Sequence, residues 1–196
     1  VEINLLKNYP RTKRNLIKRK INKSKKIISI ARKFGKDFFD GDRKFGYGGL
    51  NYNKKYWRRV TKDIINYYGL KNNSSILDIG CAKGYMLYDF KMHLKKIKIR
   101  GIDISKYALK HSKKEVKKYL SFGNAKKLRF KNNSFDLVIA INTIHNLNRK
   151  ECGQAIREIE RVSKKNSFIV LDAYKNDIEK KKMLAWNLTG KTIMHK

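Results

Sequence analysis

Ser75-Ile76-Leu77-Asp78-Ile79-Gly80-Cys81-Ala82-Lys83-Gly84-Tyr85 decides the fold of this 196-residue chain. A short aliphatic run ends in an aspartate, a turn with two glycines follows, and a helical pattern opens at Tyr85, Met86, Leu87, Phe90 and Leu94. Strand, glycine turn and helix start together make a nucleotide-sized ligand site. Glycine lets backbone approach the ligand, and a helix N-terminus offers unpaired N–H groups. A dinucleotide site asks for G-x-G-x-x-G, and a phosphate loop ends in G-K-(S/T). Here the pattern is D-x-G-x-x-x-G, and Lys83-Gly84 stands in the wrong order for a phosphate loop. An acid before the first glycine repels a pyrophosphate and suits a ligand that carries an ammonium group.

Three further segments follow in order. Arg100-Gly101-Ile102-Asp103-Ile104-Ser105 reads as a second strand ending in an acid, and Gly123-Asn124-Ala125 as a turn. Asn133-Ser134-Phe135-Asp136-Leu137-Val138-Ile139-Ala140-Ile141-Asn142 reads as an approach to a fourth strand. With the first segment they resemble the class I S-adenosylmethionine (SAM)-dependent methyltransferases over roughly residues 55 to 175, at βαβ spacing. The family's first motif is (D/E)-x-G-x-G-x-G, and Ala82 replaces its middle glycine. The resemblance implies SAM as cofactor, held by Asp78, Gly80, Cys81, Ala82, Gly84 and Tyr85, by Asp103 and Ile104, and by Asn124, Ala125 and Asn142. It assigns Asp103 to both ribose hydroxyls and Asn124, in place of the commoner aspartate, to the adenine. A side chain at Gly80 is expected to fill space that the methionine part needs. Alternatives stand beside these roles. Gly80 and Gly84 can simply tighten a turn, and Asp103 can cap the helix that follows. Asp136 is read as ordering its turn and not as a site residue.

The βα alternation predicts strands near 75–79, 98–103, 120–123, 136–142 and 167–173. Helices are predicted near 56–68, 84–95, 105–117, 150–163 and 177–188. On the fourth of these, Ala155, Ile156, Ile159 and Val162 share one face. The fold class is α/β: a doubly wound, Rossmann-like, mostly parallel sheet with helices on both faces and ligands at the strands' C-terminal edge. The family's last two strands, an antiparallel pair, are missing from the pattern. Both ends read as cut, which makes a fragment the expectation. Residues 1–36 form a basic N-terminal extension, where Leu16, Ile17, Ile21, Ile27, Ile28 and Ile30 fit one or two amphipathic helices or a solvated arm. Residues 37–55 form an aromatic, glycine-rich loop, and 56–196 the SAM-binding domain.

Methyl transfer from a sulfonium is an in-line displacement that needs alignment and exclusion of water, not a covalent residue. His145, just past the fourth strand, is the candidate proton acceptor, with packing over the cofactor or capping as the alternative. Tyr47, Tyr52 and Trp57 are the candidate acceptor-binding residues, with plain packing on the domain edge as the alternative. The (D/N)-P-P-(Y/F/W) motif of base N-methylation is absent, because the chain's single proline is Pro10.

Lys and Arg number 49 against 16 acids, giving a formal charge of +33, which favours encounter with polyanions and anionic membranes without selecting one. Cys81 and Cys152 fit neither a disulfide framework nor a zinc site, so no metal is expected. No apolar run reaches transmembrane length. The expectation is a cytoplasmic SAM-dependent methyltransferase acting on a small or medium-sized acceptor: a sugar, a lipid precursor or another anionic metabolite. RNA as acceptor, tracked by the basic arm, and a non-catalytic interaction module are the alternatives.

Overall fold

The computed structural model describes residues 3–10 and 23–192. Five strands, β1 (Ser75–Ile79), β2 (Lys98–Asp103), β3 (Leu120–Phe122), β4 (Phe135–Ile141) and β5 (Ser163–Val170), form one sheet in the order β3-β2-β1-β4-β5. All four strand pairings are parallel. The chain builds outward from β1 through β2 to β3, then crosses to the other side for β4 and β5. The direction reverses between β1 and β4, and at such a switch point the C-terminal strand ends open into a crevice.

Ahead of the sheet lie α1 (Lys25–Ala31), α2 (Lys36–Asp40) and α3 (Lys54–Tyr68). Between and after the strands come α4 (Tyr85–His93), α5 (Lys106–Lys110), α6 (Arg149–Val162) and α7 (Asp177–Trp186). Strand alternation divides the core. Ile76, Leu137 and Ile139 pack with Val60 and Ile64 of α3 and Leu87 and Phe90 of α4. Leu77, Ile79, Val138 and Ala140 face the other way and pack with Ala155, Ile159 and Val162 of α6. Because both faces are covered, β1 and β4 read as nearly unbroken apolar runs. Asn148 and Glu151 close a reciprocal capping box at the start of α6. No helix among the described residues is long and apolar enough to cross a membrane.

The departures from the sequence reading have local causes. The helix expected over 105–117 ends at Lys110, because the chain turns back to let the Lys113 N–H donate to the Lys83 carbonyl and to bury Val116. β5 begins at Ser163, directly after α6, rather than near 167. Its opening holds the exposed Lys164 and Lys165 after the buried Ser163 on an edge strand, with a register shift between Phe135 and Leu137 of β4 opposite them. Ile156 is 38% exposed, so Cys152 replaces it on the buried face of α6. Residues 37–55 are not all loop, since α2 buries Phe39. Leu16, Ile17 and Ile21 lie outside the described residues, while Ile27, Ile28 and Ile30 fall on α1.

Gly84 is closely packed. Its φ is +77°, and an added Cβ would lie 2.8 Å from Leu120 Cδ1 and 2.9 Å from Val116 Cγ2. Left-handed strain and overpacking together make Gly84→Ala destabilising by about 2–4 kcal/mol. Urea denaturation of parent and variant checks the value, and an unchanged midpoint would remove Gly84 from the packing it is assigned here.

Candidate functional site

The C-terminal strand ends enclose a cleft of about 450 Å³, within the range of small-molecule sites. Its floor is the turn after β1. There the N–H groups of Gly80 and Cys81 both donate to the Ile102 carbonyl, at 2.8 and 3.1 Å, locking the turn to β2. Ala82, in the place of the middle glycine, takes φ +48° and donates its N–H to Asp103 Oδ2 at 2.8 Å. The alanine therefore keeps the turn by entering the left-handed region, at about 1–2 kcal/mol. No side chain caps α4 at its N-cap, Gly84, so the opening N–H groups of that helix remain available to a ligand.

Two carboxylates stand at this floor. Asp103 accepts from Ser105 N at 2.7 Å as well as from Ala82 N. The cap of α5 is Ser105, whose hydroxyl accepts from Ala108 N, so capping is not Asp103's role. Burial raises the Asp103 carboxyl above its ordinary range, and those backbone N–H groups oppose the rise. Asp78 is more extreme. Burial first, and the Asp103 charge second, push it up to about 8, and its carboxyl has no hydrogen-bond partner among the described residues. The cation in this turn, Lys83, is committed elsewhere. A cationic ligand would compensate these acids and a pyrophosphate would oppose them, so the chemistry of the residues fits a sulfonium that carries an ammonium group.

Of the residues named from sequence, Asp78, Gly80, Cys81, Ala82, Tyr85, Asp103, Ile104, Asn124, Ala125, Asn142, His145, Tyr47 and Trp57 all line the cleft. Gly84 and Tyr52 do not. The Tyr52 hydroxyl donates to Asp89 Oδ1 at 2.8 Å and accepts from Arg58 Nη2 at 2.9 Å, in a polar layer between α3 and α4. Gly80 lines the cleft, but an added Cβ would meet Thr143 Oγ1 at 2.2 Å, so the clash is with Thr143 and not first with a ligand. Asn124 Oδ1 accepts from Lys126 N at 3.0 Å and holds its own turn, which leaves its NH₂ as the group with hydrogen bonds to give. Burial, then the charges of Asp78 and Asp103, push the Cys81 thiol well up, so it stays protonated and unreactive.

Two features of the site escaped sequence reasoning. One is the clamp at Lys83. Its ammonium donates to both carboxylate oxygens of Asp40 at 2.7 Å and to the Leu50 carbonyl at 2.8 Å. The Tyr107 hydroxyl also donates to Asp40, at 2.8 Å, and the Tyr85 hydroxyl to the Leu50 carbonyl, at 3.0 Å. Burial alone would raise the Asp40 carboxyl, but bonds from Lys83, Tyr107 and Leu50 outweigh it and hold it below its usual value. Both ends of the glycine-rich loop are thus pinned to the turn after β1. The other feature is Asp172, an acid just past β5, whose Oδ2 lies 2.5 Å from His145 Nδ1. The signal was available, because Asp172 ends an apolar run as Asp78 and Asp103 do.

Much of the rest of the cleft lining is apolar. Phe34, Phe38, Phe39 and Tyr47 come from the segment before the sheet, Tyr9 and Trp57 from beside it, and Met183 and Trp186 from α7.

A carboxyl with a folded pKa near 8 and an unfolded value near 3.8 adds stability below about pH 4 that is lost as pH rises toward 8. Asp78→Asn should therefore gain melting temperature over the parent as pH goes from 5 to 8, while binding SAM more weakly. Calorimetric scans across that range check it, and a constant difference between the two proteins would return Asp78 to an ordinary pKa. Asp40→Asn should loosen the clamp and expose residues 41–49 to protease, with the sheet still folded. Equal cleavage rates in parent and variant would count against the pinning.

The methyltransferase domain family matches residues 77–171. Over 119 residues the chain is 34% identical to an uncharacterised protein of Methanocaldococcus jannaschii, covering 61% of this chain and 44% of that one. Over 124 residues it is 32% identical to a demethylmenaquinone methyltransferase of Lactiplantibacillus plantarum, covering 59% and 50%. The chain thus spans about half the length of the curated relatives it matches. Among solved structures, the YcgJ protein of Bacillus subtilis shares the fold, with a TM-score of 0.53 at 18% identity over 68% of this chain and 62% of that one. The match over residues 77–171 supports a methyltransferase domain of the class I SAM-dependent kind.

Proposed function

We propose that this chain transfers a methyl group from SAM to a compact, apolar acceptor that carries an ionisable hydroxyl. The observation that carries this reading is the His145–Asp172 pair, which lines the same cleft as the two buried acids and a set of aromatic side chains. Among the acceptors expected from sequence, a lipid precursor suits those rings, whereas a sugar would leave its hydroxyls facing carbon. The Lactiplantibacillus plantarum relative is named for demethylmenaquinone as its acceptor. A cytoplasmic setting is part of the same proposal.

When bound, the cofactor supplies a methyl group on a positively charged sulfur. The chain's part is to place, dry and deprotonate. Asp78 and Asp103 stabilise the cation in a buried setting where their charge is little screened. Asp172 accepts the Nδ1 proton of His145, which leaves Nε2 with its lone pair to take the proton from the acceptor hydroxyl. The aromatic segment over the cleft excludes water and offers π faces to a sulfonium, an attraction of about 0.5–2 kcal/mol.

General base catalysis contributes about 10²–10⁴-fold, so His145→Ala should lose that much turnover while binding SAM normally. Asp172→Asn, which keeps an acceptor for Nδ1 but loses the charge, should fall between. Methyl-labelled SAM incubated with organic-phase and aqueous cell extracts identifies the acceptor class. Label confined to polar metabolites or RNA would refute the apolar acceptor, and full turnover in His145→Ala would refute the base.

A further inference from the structure

Among the described residues, ten large apolar or aromatic side chains are exposed, and their distribution is uneven. Six of them, Tyr47, Ile104, Phe122, Leu171, Tyr174 and Ile178, belong to segments at the C-terminal edge of the sheet. Ile104 follows β2, Phe122 ends β3, and Leu171, Tyr174 and Ile178 follow β5. Tyr47 belongs to the loop pinned over the cleft. Since all the strands run parallel, these segments share one rim, the one on which the cleft opens. Phe122 is 61% and Ile178 65% exposed, more than any other large apolar side chain described.

Cations accompany the rings on this rim. Lys106 Nζ lies 5.8 Å from the Phe122 ring centroid, and Lys180 Nζ lies 5.4 Å from that of Tyr174. On the pinned loop, Lys44 Nζ stands 5.1 Å from the Phe45 ring. Exposed apolar side chains interleaved with lysines form the pattern of a surface that lies on an anionic bilayer. The apolar groups enter the acyl boundary and the lysines remain at the headgroups.

We infer that the rim of the cleft docks on an anionic lipid surface, from which an apolar acceptor reaches His145 without crossing water. Charge complementarity favours this docking, with a net charge of +33 and lysines beside the apolar side chains. A single-stranded nucleic acid would use the same lysines, but it needs flat rings on which bases stack. Ile104, Leu171 and Ile178 offer branched aliphatic chains, which suit lipid. The route of the acceptor rests on the function proposed above, whereas the docking itself does not.

The test is co-sedimentation of the full chain with vesicles of phosphatidylglycerol and phosphatidylcholine in equal parts, and of phosphatidylcholine alone. Binding should favour the anionic vesicles. The double variant Phe122→Ser/Ile178→Ser should reduce it about ten- to a hundredfold, with SAM affinity and melting temperature unchanged. Part of the parent's binding should survive in about 1 M salt, where the screening length is about 3 Å. Equal binding by parent and variant would overturn the inference, as would complete release in that salt, because either leaves only charge. Displacement of the vesicles by polyuridylate, with the apolar substitutions acting equally on RNA, would reassign the rim to nucleic acid. Normal vesicle binding with no label entering an organic-phase acceptor would leave the docking in place and refute the proposed acceptor.

Discussion

Two parallel neighbours, β1 and β2, each end in an aspartate, and the turn between β1 and α4 buries both. That placement is costly. Like charges in a low-dielectric setting oppose each other's ionisation, and Asp78 responds by holding its proton to about pH 8. Asp103 avoids the same outcome in part by collecting backbone N–H groups from Ala82 and Ser105. The remaining mismatch is electrostatic, and a bound cation removes it. The left-handed Ala82 and the two N–H groups spent on the Ile102 carbonyl serve the same end, because they hold the turn closed around a charge that the free protein does not satisfy.

Lys83 shows how the rest of the site is attached to that turn. A lysine beside two buried acids would ordinarily neutralise them and close the site to a cationic ligand. Here its ammonium is taken by Asp40 and the Leu50 carbonyl, both from the segment that lies before the sheet. One ion pair thus keeps a cation away from Asp78 and fastens the aromatic segment over the cleft. Its side chain is only 5% exposed and Asp40's 25%. Breaking a pair this buried leaves an uncompensated charge, so the penalty falls on whichever partner remains.

The sheet was legible in the sequence because its central strands are buried on both faces. Unbroken runs such as Ile76-Leu77 and Leu137-Val138-Ile139-Ala140 admit few other readings. The floor of the cleft was legible for a related reason: acids at strand ends and glycines at the turn mark where the chain leaves the sheet. What failed was set by long-range contact. Nothing near residue 84 says that Val116 and Leu120 occupy the space beside Gly84, or that Tyr52 turns toward Asp89. The helix predicted over 105–117 stops at Lys110, where the chain turns back and the Lys113 N–H donates to the Lys83 carbonyl. Asp40 and Lys83 carry no local mark of their pairing, which forms only when the chain brings them together across 43 residues.

The proposed acceptor side of the cleft is built differently from the proposed cofactor side. Residues 77–171 supply the floor, the two acids and His145. Apolar side chains of the cleft also come from flanking segments, Phe34 to Trp57 before the sheet and Met183 and Trp186 after it. These flanks are tied down by a few directed bonds. The clamp at Lys83 holds the first. The Lys191 N–H and the Thr192 hydroxyl, donating to the His145 carbonyl at 2.9 and 3.1 Å, hold the second. Methyl donation needs the same charge arrangement whatever the acceptor, whereas acceptor shape is read by side-chain packing. Separating the two lets the flanks change without disturbing Asp78 and Asp103, provided the anchors at Lys83 and His145 are kept. Those anchors sit at the glycine turn and at the proposed base, so a change in either flank is felt first at the atoms that position the reaction.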